Sequence, residues 1–144
     1  TAGWHARQVK ENEQLARDDR LGEAVRAEID AALRRNPIFA AAVQPKLIQL
    51  LVNRYGPGQF YGAHVDDAFM NGRRTDVSLT LFLSDPSDYD GGELVIEGPS
   101  GEQRVKLPAG AAIVCCLSAL SVAALAAASP LAPAPLAVRG KSDL

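Results

Sequence analysis

Arg54-Tyr55-Gly56-Pro57-Gly58-Gln59-Phe60-Tyr61-Gly62-Ala63-His64-Val65-Asp66 is the stretch on which the reading of this chain turns. Its last three residues set an imidazole and a carboxylate at positions i and i+2. On an extended strand such residues share a face, so His64 and Asp66 can converge on one ion. The same pattern, met alone, also describes a surface histidine beside acidic residues. Gly56, Gly58 and Gly62 read as turn and close-approach positions. Asp67 falls on the face opposite Asp66 and reads as solvated.

Outward from this stretch the chain is punctuated like a β protein. The run LIQLLVNRY (47–55) is apolar and ends at Gly56-Pro57-Gly58. Downstream, VSLTLFLS (77–84) stops at Asp85-Pro86, and ELVIE (93–97) is joined to QRVKL (103–107) by Gly98-Pro99-Ser100-Gly101. AAIVCCL (111–117) follows Pro108-Ala109-Gly110. Short strands at close spacing with Gly/Pro turns predict an antiparallel sandwich or barrel. Upstream, Leu21, Val25, Ile29, Ala32 and Leu33 recur at the spacing of one helix face. Asp18 or Asp19 can cap that helix, and Pro37 stops it after Asn36. Residues 4–17 fit either a polar helix or an irregular strand. There is no internal repeat.

Composition narrows the function. At 144 residues a single domain is expected, and 15 Lys+Arg against 17 Asp+Glu leave a net charge of −2. Neither a clustered basic face nor an aromatic stacking platform for nucleic acid is legible, with aromatics at 6%. Adjacent Cys115 and Cys116 cannot build a disulfide framework or a four-sulfur zinc site, and read as small buried apolar residues. Only His5 and His64 exist, so a site of three imidazoles is excluded. No apolar leader opens the chain, and a cytoplasmic location is the expectation.

The charges are unevenly spread. Residues 111–138 carry none, and 11 of those 28 positions are Ala. The tail is therefore read apart from the body, giving an N-terminal helical segment (1–45), a core (46–117) and an Ala/Pro-rich divergent tail (118–144).

The stretch 54–66 resembles the entry to the iron site of Fe(II)/2-oxoglutarate-dependent dioxygenases, and in particular the bacterial PKHD-type hydroxylases related to prolyl hydroxylases. The resemblance continues through Arg74-Thr75-Asp76, the strand from Ser78 to Ser84, Asp85-Pro86, and Tyr89-Asp90-Gly91-Gly92-Glu93-Leu94 to Val105-Lys106-Leu107-Pro108-Ala109-Gly110. It implies a mainly β double-stranded β-helix, or jelly roll, with N-terminal helices. It implies Fe(II) held by His64 and Asp66 as two of three protein ligands, 2-oxoglutarate as co-substrate contacted by Tyr55, ascorbate as an auxiliary reductant, and a small-molecule or peptide substrate. The bland alternative for Tyr55 is a core aromatic at a strand end. Two His and one carboxylate on one face of a six-coordinate Fe(II) leave positions open for the co-substrate and O₂.

The resemblance breaks after Gly110. A second, distal His and a later Arg for the far carboxylate of 2-oxoglutarate are required, and gap-free alignment sets Ser121 and Leu131 there. No His follows His64, and the only later Arg, Arg139, lies eight residues past its slot. Three readings of the tail compete: a frameshifted or artificial C-terminus, a genuine homologue that has lost iron, or an apolar helix over residues 111–129 long enough to anchor in a membrane. The first is favoured, and Pro130, Pro133 and Pro135 speak against the third. On this reading the C-terminal strands are incomplete, no ladder persists beyond Ser118 and a sheet edge stays open; the resemblance implies an iron- and 2-oxoglutarate-dependent hydroxylase, left inactive if the distal His and the Arg are lost, with a catalytically dead jelly-roll binding module as the alternative.

Overall fold

The computed structural model describes residues 9–70 and 72–116, together with two strands at 122–127 and 136–143. In chain order these form β1 (Lys10–Glu11), β2 (Glu13–Gln14), α1 (Arg20–Arg35), α2 (Pro37–Val43), β3 (Leu47–Arg54), β4 (Phe60–Tyr61), β5 (Phe69–Met70) and β6 (Arg73–Arg74). There follow β7 (Val77–Phe82), β8 (Gly91–Gly98), β9 (Gly101–Val105), β10 (Ala112–Cys116), β11 (Val122–Ala127) and β12 (Leu136–Asp143). Two five-stranded sheets result, ordered β1-β4-β11-β8-β9 and β10-β7-β12-β3-β2, while β5 and β6 form a separate hairpin. All their pairings are antiparallel. From β7 to β12 the chain passes back and forth between the sheets, which is the jelly-roll plan the sequence predicted.

The helices arise from local signals. Asp19 caps α1 by accepting from the Gly22 N–H at 2.7 Å. Asn36 closes α1 and opens α2, its side chain accepting from the Ile38 and Phe39 N–H groups at 3.0 Å each, with Pro37 in the first turn where its missing donor costs nothing. The buried stripe of α1 differs from expectation. Val25, Ile29 and Leu33 pack on Leu50 and Val52 of β3, but Leu21 is 70% exposed. Gly22 occupies the buried position instead, tight against Leu15, so that a Cβ there would stand 3.0 Å from the Leu15 side chain. Residues 10–14, which fitted helix or strand, are two short strands pairing with β4 and β3.

Period-two alternation divides the β3–β7 sheet into two faces. Its outer face is covered by helices: Leu50 and Val52 meet α1, and Val77 and Leu79 meet Phe39 and Val43 of α2. On the inner face Tyr55 and Phe82 join Leu94 of the opposite sheet in a second core. Asn53 shares Tyr55's face, and Ser78 and Thr80 share that of Phe82. All three are buried. The space between the sheets is thus lined by apolar and polar groups together.

The tail departs from expectation. β11 lies between β4 and β8, and β12 between β7 and β3, so both are central strands. No ladder was expected beyond Ser118, yet β12 pairs with eight successive residues of β3, Leu136 opposite Arg54 through Asp143 opposite Leu47. The physical reason is placement: Pro130, Pro133 and Pro135 all precede Leu136, so none removes a donor from this ladder. The membrane-helix reading fails over residues 112–116 and 122–127, which are strands. Among the described residues no helix is long and apolar enough to cross a membrane.

Candidate metal centre

His64 and Asp66 follow β4, and between them only Val65 makes a β-bridge. The expected strand is therefore reduced to one bridge, but the alternation survives. His64 is buried, Val65 is 55% exposed, and Asp66 turns back beside His64. Nε2 of His64 lies 3.4 Å from Oδ1 of Asp66, with the two side chains 3% and 11% exposed. Asp67 is exposed, as its opposite parity requires. The β5–β6 hairpin springs from directly behind Asp66, and its base is tied by the Thr75 N–H donating to the Ala68 carbonyl at 2.8 Å.

The imidazole is held on three sides. Its Nδ1 lies 2.8 Å from the Gly62 carbonyl. A carbonyl can only accept, so Nδ1 carries the proton. The Tyr61 ring stacks on it, centroids 3.7 Å apart and planes 14° from parallel. On Tyr61, in turn, rides the Lys10 ammonium, 4.7 Å from the ring centre and 3.4 Å from Asn53 Oδ1. Tyr61 and Lys10 were not singled out from sequence. The parity of Tyr61 on β4 was legible, but its proximity to His64 depends on the tight turn at Gly62-Ala63.

Could this pair hold a divalent cation? Two donors about 2.1 Å from one ion and at right angles to each other stand about 3.0 Å apart, so a 3.4 Å separation needs only a slight adjustment. Imidazole with carboxylate suits Fe(II). A third protein donor is not found: among the described residues no group of three or more His, Cys, Asp or Glu gathers around a point. His5, Ser121 and Leu131 lie outside the described residues.

Tyr55 is 2% exposed and sits between the sheets with Phe82 and Leu94. In the β12 ladder Arg139 stands opposite Leu51 on one side and Thr80 on the other.

Residues 50–123 match the 2OG-Fe(II) oxygenase superfamily. The chain belongs to this family. It is 56% identical over 114 residues to a PKHD-type hydroxylase of Picosynechococcus, covering 78% of this chain and 52% of that protein. To a PKHD-type hydroxylase of Maricaulis maris it is 53% identical over 121 residues, covering 83% and 55%. The chain thus spans about half the length of these curated relatives. In fold it is similar to a prolyl-4-hydroxylase from Pseudomonas putida, with a TM-score of 0.62 at 22% identity over 95% of this chain and 74% of that one.

Away from the pair, the Tyr89 phenol is clearly perturbed. Burial, and then the carboxylates of Glu93, Asp85 and Asp88, push the Tyr89 phenol above its ordinary range. The folded chain therefore holds this proton more tightly than the unfolded one. Its stabilising contribution is intact below the unfolded phenol value, about 10, and is lost as pH rises through the folded value. Urea midpoints should fall more steeply with alkaline pH in the wild type than in Tyr89→Phe. Equal slopes would refute the assignment.

Proposed function

We propose that this chain is the iron- and 2-oxoglutarate-binding part of a hydroxylase in which His64 and Asp66 are two of the protein ligands to Fe(II). The observation that carries this reading is the nearly buried His64–Asp66 pair, 3.4 Å apart, in a jelly roll of the 2OG-Fe(II) oxygenase superfamily. Fe(II), when bound, supplies the O₂-dependent oxidation that couples C–H hydroxylation to decarboxylation of 2-oxoglutarate. Ascorbate belongs to the same reading, as the reductant that keeps iron ferrous. The chain's own residues bind and orient. Tyr55 offers its phenol to a co-substrate carboxylate between the sheets, and Arg139, by its register opposite Thr80, takes the role of the cation for the far carboxylate. Buried Asn53, Ser78 and Thr80 give a dicarboxylate a polar wall.

A second reading, a jelly roll that binds a partner or small molecule without catalysis, is favoured by one observation: no His follows His64 in this sequence. Anaerobic calorimetry with Mn(II) and 2-oxoglutarate separates the two. The expected result is saturable 2-oxoglutarate binding, weakened about 10- to 100-fold in Arg139→Ala, the loss of one hydrogen bond to a charged group. No succinate should be released in the absence of substrate. Absent 2-oxoglutarate binding would favour the non-catalytic module, and affinity unchanged in both Tyr55→Phe and Arg139→Ala would withdraw those two residues.

A further inference from the structure

The last residue of β4, Tyr61, has its backbone gripped from both sides, opposite Lys10 of β1 and Leu125 of β11. Its ring packs against the inner core of Tyr55, Phe82 and Leu94 and so has little room to turn. The His64 ring lies on it at 3.7 Å and 14°. That is closer than the 4.5–7 Å at which aromatic pairs usually settle, so the contact is imposed by the two-residue link through Gly62 and Ala63. Stacking sets the plane of the imidazole but leaves open which nitrogen faces Asp66. The Gly62 carbonyl decides that by accepting from Nδ1 at 2.8 Å. The carbonyl is itself held in place, because the Gly62 N–H donates to the Val9 carbonyl at 2.6 Å. Nε2 is left turned toward Asp66 Oδ1.

We propose that Tyr61 is a positioning residue whose ring fixes the plane of the His64 imidazole, so that Nδ1–H stays on the Gly62 carbonyl and Nε2 and Asp66 form a two-donor edge before any cation arrives. The inference rests on the reading of His64 as a ligand. Groups that orient a ligating imidazole typically change metal affinity 10- to 100-fold when removed, and the flat ring rather than the phenolic hydroxyl makes this contact.

The test reads the tautomer and the affinity separately. In a His5→Gln background His64 is the only imidazole, and its two ring nitrogens are resolved by ¹⁵N NMR at a pH where the ring is neutral. The wild-type Tyr61 chain and Tyr61→Phe should show a single Nδ1–H tautomer and equal Mn(II) affinity. Tyr61→Leu, which fills similar space without a flat ring, should mix the tautomers and weaken Mn(II) about 10- to 100-fold. Tyr61→Met provides the same comparison should the leucine variant fail to fold, as judged by its circular dichroism. A single tautomer and undiminished affinity in the folded aliphatic variant would overturn the clamp. A parent chain that binds no Mn(II), yet whose tautomers mix in Tyr61→Leu, would uphold the clamp and overturn the cation reading.

Discussion

Phe82→Ala is expected to cost about 3–5 kcal/mol, the range for emptying a well-packed aromatic site. Against the 5–15 kcal/mol by which domains are normally stable, this is enough to populate the unfolded chain. Phe82 is 3% exposed and packs with Tyr55 of its own sheet and Leu94 of the facing one, so the void would open at the point where the sheets are joined. The backbone ladder would persist, since the Phe82 N–H and carbonyl bond to Ala111 and Gly110 whatever the side chain. A shift in the urea midpoint at constant slope is the expected observation. A loss below about 1 kcal/mol, the level of an ordinary surface substitution, would mean that the sheets do not meet there.

The largest functional effect is expected at the His64–Asp66 pair. Deleting a group that merely orients a ligand costs about 10- to 100-fold in metal affinity, and deleting a donor should cost at least that. His64→Ala and Asp66→Ala should each reduce Fe(II) or Mn(II) binding by at least about 10- to 100-fold. The folding midpoints without metal should fall only modestly, since neither side chain belongs to a hydrophobic core cluster. Cation affinity unchanged in both variants would place any bound ion elsewhere.

The body of this fold was legible because its signals are local. Gly/Pro punctuation after residues 55, 84 and 97 marked strand ends, and apolar spacing marked α1. The His-x-Asp parity survived even though only Val65 makes a bridge. What stayed hidden is what three-dimensional register decides. Ala-rich residues 122–127 carry no β signal of their own, and become a strand because β4 and β8 offer unpaired backbone on both sides. The register of Arg139 opposite Thr80 is likewise set by a ladder and not by a spacing. Tyr61 was hidden for a similar reason: its contact with His64 crosses a turn whose shape depends on Val9. Leu21 shows the converse, an apolar residue at helical spacing that Gly22 displaces from the buried face.

The most direct test of the central claim, that His64 and Asp66 form one cation-binding edge, is paramagnetic broadening by Mn(II), an ion suited to the same donors. Substoichiometric Mn(II) added to ¹⁵N-labelled protein should first erase the signals of the His64 ring and of the amides from Gly62 to Asp67, and Asp66→Ala should abolish that pattern. Broadening that begins at another acidic surface, or that persists around His64 when the Asp66 carboxylate is gone, would contradict the account.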